Sequence, residues 1–141
     1  YTVYFNSGAS SAAEIVRYHP VYDLALLKVD TTGLTPFALD MSEAINVGEE
    51  AYAMGTPYDI DLGASVTKGI ISGKRKDGER TLIQTDVSIS PGNSGGALIN
   101  AEGVLIGVVN EKVLGLGVEG IGFAIPTHVI EEALSIKFQN Q

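Results

Sequence analysis

Cysteine is absent from the 141 residues, which excludes any disulfide or thiolate metal site and leaves the redox compartment undetermined. Histidine occurs only twice, at His19 and His128, too far apart in sequence to support a histidine-rich zinc site. Asp59 and Asp61 are loop carboxylates, but two of them fall well short of a calcium loop's ligand set. No metal and no cofactor are therefore expected. Basic residues are scarce, 9 Lys and Arg against 17 Asp and Glu, for a net charge of −8. A surface of that sign repels phosphate backbones and anionic headgroups, so neither a nucleic-acid partner nor a membrane contact is expected. The one basic cluster, Lys74-Arg75-Lys76 with Arg80, surrounds an Asp77-Gly78 turn and reads as a solvated hairpin tip. No run of 18 apolar residues occurs, and the first residues carry no signal-peptide pattern.

What is present is a globular composition, with 45% hydrophobic and 18% charged residues. A chain of this length suits one domain, burying roughly 68–70% of its unfolded surface. Short strand patterns run through most of it: Tyr1 to Asn6, Ala13 to Tyr18, Leu24 to Val29, Glu50 to Met54 and Ala64 to Lys74. Arg80 to Thr85, Ala97 to Asn100, Val104 to Glu111 and Ile121 to Ile125 follow. Gly69 and Gly73 inside the long strand suggest bulges, and Asp77-Gly78 is the strongest hairpin signal. Asp30 to Asn46 lacks periodicity and reads as a crossing between two halves of a fold. Val129, Ile130, Ala133, Leu134 and Phe138 recur at helical spacing after Thr127, a candidate cap, so the chain closes on an amphipathic helix. Many short strands with even turn spacing imply an antiparallel sandwich or barrel.

Chemistry concentrates in Asp86 to Gly96, where three glycines and a proline surround Ser94 between two apolar strands. Glycine removes side chains that would block a substrate. Backbone N–H groups of such a loop can converge where an oxyanion develops during acyl transfer. Taken alone, this run reads first as a plain glycine turn.

Its flanks are more specific. Gln84-Thr85-Asp86, Pro91-Gly92-Asn93-Ser94-Gly95-Gly96 and Gly120-Ile121-Gly122-Phe123-Ala124-Ile125-Pro126 occur in order, after Asp23-Leu24-Ala25-Leu26-Leu27-Lys28-Val29 and Ser65-Val66-Thr67-Lys68-Gly69-Ile70-Ile71-Ser72. This series resembles the HtrA/Deg family of trypsin-like serine proteases, over about Ile15 to Leu134. The resemblance implies an all-β fold: a trypsin-like double six-stranded antiparallel β-barrel, the first barrel incomplete, with a C-terminal α-helix. Residues 1–38 would be the partial first barrel, and 39–141 the second barrel and helix.

The resemblance also implies site residues. Ser94 would be the nucleophile, with the amides of Gly92 and Ser94, together with Asn93, as the oxyanion hole. Asp23 would be the aspartate that orients the base, although by itself it reads equally as a turn aspartate. Ser88, Ile89, Val109, Asn110, Gly122, Phe123 and Ala124 would bind substrate. With Ser88 six residues before the nucleophile there is no acidic pocket base, which implies small or medium aliphatic residues before the scissile bond. Asn93 stands where digestive relatives have an aspartate, so activation by a new N-terminal amine is not available. Gly115 to Gly120 resembles a regulatory loop, and it reads equally as a turn.

Neither histidine occupies the family's base position: His19 lies four residues before Asp23, and His128 opens the terminal helix. The base would fall just before Tyr1. The implied function is a serine endopeptidase cutting unfolded or extended polypeptide, this chain lacking the base. A catalytically inactive peptide-binding or scaffold module is the alternative. A structural fragment completed by another chain is a third. A homo-oligomer, a trimer in the whole protein, and an extracytoplasmic setting are implied by the resemblance alone.

Overall fold

Alternation along β-strands decides which residues face inward. The computed structural model describes residues 1–56, 63–112 and 120–139. Three strands come first: β1 (Thr2–Tyr4), β2 (Ser10–His19) and β3 (Leu24–Val29), in the order β1-β2-β3. Six more follow: β4 (Glu50–Gly55), β5 (Ser65–Asp77), β6 (Arg80–Thr85), β7 (Ala97–Asn100), β8 (Leu105–Lys112) and β9 (Gly122–Pro126). These close into one antiparallel barrel ordered β4-β5-β6-β9-β8-β7. The fold is mostly β, with a closed six-stranded barrel, a partial three-stranded sheet and one short helix, α1 (Thr127–Ala133).

The barrel interior is filled by Ala51, Ala53, Ile71, Ile83, Val87, Ile89, Leu98, Val109 and Ala124. Period-2 alternation turns Leu82 and Ile125 to the outside, where they join Leu24, Val129, Ile130 and Leu134 in a second cluster. That cluster fastens α1 and β3 to the outer wall of the barrel. The crossing segment returns at residues 38–40, where Leu105 N–H donates to Ala38 O and Asp40 N–H to Leu105 O.

Local chemistry departs from the sequence expectation in three places. Gly69 is not a bulge; it pairs regularly with Ala51, and the extra residue of β5 is Ser72. Glycine is required at 69 for another reason: a Cβ there would lie 2.4 Å from Asp86 Oδ1 and 2.7 Å from Val87 N. Thr127 does not cap α1; its hydroxyl donates to Leu105 O at 3.1 Å, and Pro126 holds the cap position with no side-chain bond. The helix also stops at Ala133, short of Phe138. Ser135 enters the left-handed region (φ 49°), its N–H bonding Glu132 O and that of Ile136 bonding Glu131 O. This is a Schellman termination with serine where glycine is usual. The chain then folds back, Phe138 N–H donates to Glu131 Oε1 at 2.9 Å, and Phe138 still packs on the second cluster.

Candidate active site

Ser94 sits on the segment from Asp86 to Gly96 that joins β6 to β7, and each half of that segment is tied down differently. On the β6 side, Asp86 Oδ1 accepts the Ile70 N–H at 2.7 Å and Thr67 Oγ1 donates to Ser88 O at 2.8 Å. The buried Thr85 hydroxyl donates to Ile70 O at 2.7 Å and accepts the Val87 N–H at 3.2 Å. On the β7 side, Gly95 N–H donates to Val109 O at 2.7 Å and Val109 N–H to Gly96 O at 2.9 Å. Between these anchors the chain makes two tight turns, with Gly92 and Gly95 at φ 98° and 85°, which L side chains adopt only under strain.

The turns sort neighbouring residues inward and outward. Asn93 is buried at 3% exposure, packed against Gly55, and its Oδ1 has no hydrogen-bond partner among the described residues. Ser94, next in the chain, is exposed at the rim. The Asn93 N–H is already donated to Ser90 O at 2.9 Å, and that of Gly96 to Asn93 O at 2.9 Å. The amides of Gly92 and Ser94 find no acceptor among the described residues. Of the three residues expected around an oxyanion, two therefore have a donor to offer.

Asp23 is the last residue of the four-residue turn between β2 and β3 and has φ 51°, in the left-handed region. It is exposed, and the Tyr18 hydroxyl lies at the outer hydrogen-bonding limit, 3.5 Å from Oδ1. Its neighbours hold it. Leu24 is buried in the second cluster, while the Tyr22 hydroxyl accepts the Thr81 N–H at 3.0 Å and Tyr22 O accepts Asn110 Nδ2–H at 3.2 Å. Strand β8 thus carries both halves of the site. Val109 pairs with the Ser94 loop through its backbone, and the adjacent Asn110 reaches the Asp23 turn through its side chain.

The remaining candidates fall in three places. Ile89, Val109, Gly122 and Ala124 are buried together, and a Cβ on Gly122 would lie 2.4 Å from Ile89 Cδ1. Ser88 is exposed and shares a cleft of about 400 Å³ with Asp86, Ser90, Gly120 and Ile121. Phe123 is half-buried against the second cluster. The strand reading gave no role to Asp86 or Tyr22; the first followed a recognisable Gln-Thr pair, the second carried no signal at all. Neither histidine bonds to Ser94: His19 Nδ1 accepts the Tyr22 N–H at 3.3 Å, and His128 belongs to α1. Asp59, Asp61 and residues 115–119 lie outside the described residues. No cluster of three or more potential metal-ligating side chains occurs among the described residues.

A glycine-turned serine and an aspartate corner are thus fastened to one barrel strand. The family described as "Trypsin-like peptidase domain" matches residues 1–108. The chain belongs to the HtrA/Deg trypsin-like serine proteases. It is 36% identical over 149 residues to the serine protease Do-like HtrB of Bacillus subtilis (strain 168), covering 99% of this chain and 32% of the relative. It is 40% identical over 136 residues to the periplasmic pH-dependent serine endoprotease DegQ of Escherichia coli (strain K12), covering 91% and 29%. Among solved structures, the HtrA-type protease AlgW with decapeptide superposes at a TM-score of 0.86 with 38% identity, covering 95% of this chain and 42% of that one. This HtrA/Deg domain spans about a third of the length of the curated relatives it matches.

Proposed function

We propose that this chain is the larger part of a serine endopeptidase domain, in which Ser94 attacks the scissile carbonyl and Asp23 orients the general base. The observation that carries the reading is the shared strand. Consecutive residues of β8, with Cα atoms about 3.8 Å apart, hold the Ser94 loop and the Asp23 turn. In the proposed mechanism the base takes the Ser94 proton as Oγ bonds to the carbonyl carbon. The amides of Gly92 and Ser94 then receive the developing oxyanion. The tetrahedral intermediate then collapses to the acyl-enzyme, breaking the C–N bond as the base returns the proton to the departing amine, and water attacks the ester to release the acid and free Ser94. The base is assigned to residues outside this sequence, since His19 lines a separate cleft with Lys76, Glu79 and Ala133, and His128 lies in α1.

Extended polypeptide would bind by adding a strand to β8. That strand pairs with β9 out to Lys112, whereas its β7 neighbour ends at the Ala97↔Val108 pair and the Ser94 loop covers only Val109. The free edge next to Ser94 fits a substrate backbone. Ser88, Ile89, Asn110, Phe123 and the buried Val109, Gly122 and Ala124 would shape the pocket beside it. Ile89 filling the space over Gly122 supports a preference for small or medium aliphatic side chains. An extracytoplasmic setting follows the periplasmic relatives, and a homo-oligomer such as a trimer belongs to the same reading.

The test is digestion of unfolded casein by the full-length protein. Ser94→Ala is expected to lower kcat by about 10⁶-fold and Asp23→Ala by about 10⁴-fold, the scale of triad losses elsewhere. Digestion by Ser94→Ala at the wild-type rate would overturn the reading. A peptide-binding module without turnover is the second reading, favoured by the lack of a histidine bonded to Ser94 among the described residues; bound peptide recovered uncut from the wild-type protein would establish it.

A further inference from the structure

Three observations meet at Asn110. First, β8 is irregular there: Val109 pairs with Ala124 and Glu111 with Phe123, so Asn110 is the extra residue of a β-bulge. A bulge bends its strand and re-aims the side chain it carries. Second, that side chain reaches 88 positions back along the sequence, donating Nδ2–H to Tyr22 O at 3.2 Å. Third, the residue after Tyr22 is Asp23, held at φ 51°. A non-glycine residue in the left-handed region is strained and persists only where its surroundings over-determine it. The Tyr22 anchors supply that determination on one side of Asp23, and buried Leu24 supplies it on the other.

We propose that Asn110 is a positioning residue for Asp23: the bulge aims its amide at the Tyr22 carbonyl, and that bond fixes the left-handed turn on which the carboxylate is presented. Asn110 thereby couples the three-stranded sheet to the strand that pairs with the Ser94 loop. This inference rests on the reading of Asp23 as the orienter of the base. Without the bond, Asp23 remains on the chain but wanders relative to Ser94, and misplacement on the order of 1 Å costs about 10²-fold in rate.

The experiment measures kcat, KM and their pH profile for the full-length protein on a peptide substrate. Asn110→Ala and Asn110→Leu, the second keeping the volume without a donor, are compared with Asp23→Asn. Asn100→Ala is the structural control, because Asn100 Oδ1 accepts the Glu102 and Val104 amides in the β7–β8 turn, away from Tyr22. A carboxylate beside the base favours its cation and raises its pKa, so loosening Asp23 lowers that pKa. Both Asn110 variants are expected to lose about 10²-fold in kcat, with KM within about twofold. Their acid limb moves to lower pH by about one unit, in the same direction as for Asp23→Asn. Asn100→Ala lowers Tm and leaves the limb in place. A folded Asn110→Leu protein with wild-type kcat and limb, beside a collapsed Asp23→Asn, overturns the positioning role alone. An unaltered Asp23→Asn protein overturns the triad reading and this inference with it.

Discussion

The closed barrel and the three-stranded sheet are made of similar residues, yet they hold position by different means. Every barrel strand has two neighbours, leaving edges among the described residues only at strand ends, such as β8 beyond Val109, and Ala51, Ala53, Leu98 and Ala124 are fully excluded from solvent. In the sheet only Ala13 and Leu24 are buried among the apolar residues of β2 and β3, while Ile15, Val16 and Tyr18 are 45%, 52% and 58% exposed. The sheet also leaves β1 and β3 as edges, which invites a further strand or covering segment. Ser94 is placed by closure of a barrel. Asp23 is placed by a few contacts at one corner: Leu24 and Leu26 in the second cluster, and Tyr22 between Thr81 and Asn110. The proposed nucleophile, fixed by a core, and the proposed orienter, fixed by a corner, will respond differently to damage.

Truncation should separate the two regions most strongly. Leu98→Ala, inside the barrel, is expected to cost about 2–5 kcal/mol, whereas Ile15→Ala in the sheet should stay within about 1 kcal/mol, both read by chemical denaturation. Equal losses would mean the sheet carries a hidden core. Next comes Gly96→Ala, whose Cβ would sit 2.1 Å from Met54 O and 2.8 Å from Asn93 O. Backbone cannot yield as a side chain does, so a loss of about 3 kcal/mol is expected, together with a displaced Ser94 loop visible in amide exchange. Thr85→Val removes the donor to Ile70 O and leaves the buried Val87 N–H without its acceptor. That should cost about 1–3 kcal/mol and loosen the Asp86–Ser90 wall before the barrel unfolds.

The smallest effect belongs to the surface pair of β4 and β5. Lys68 Nζ lies 2.7 Å from Glu50 Oε1, and hydrogen bonds from Lys68 and Tyr52 hold the Glu50 carboxyl below its usual range. The same Glu50 bond raises the Lys68 ammonium above its ordinary value. The Glu50 contribution is therefore complete above the ordinary carboxylate range and lost as pH falls through the depressed value. The Lys68 contribution is complete below the ordinary lysine value and lost as pH rises through the elevated one. Glu50→Gln should lower Tm slightly at neutral pH, and the difference should vanish in about 1 M salt, where the Debye length is about 3 Å.

How much of this was legible depended on whether a feature is local. Strands announced themselves: Leu24–Val29, Arg80–Thr85 and Ala97–Asn100 match their expected stretches to the residue, because ladder pairing with neighbouring strands fixes an extended backbone there. The helix end was not legible, since Ser135 offers none of glycine's signal for a left-handed residue. Gly69 looked like a bulge because the chain that crowds it, Asp86-Val87, lies 17 residues away. At the site, the Ser94 loop was readable from its own glycines, but the side chains that hold Asp23 were not. A tyrosine carbonyl and a bulged asparagine 88 positions apart share no local pattern. Asn110, a proposed pocket residue, also gives its side-chain amide to the Tyr22 carbonyl.

The most direct test of the account is reaction of the full-length protein with a fluorophosphonate, read by peptide mass spectrometry. One adduct is expected, on Ser94, lost when the protein is unfolded and strongly slowed in Asp23→Asn. No adduct on Ser94 in the folded full-length protein would contradict it.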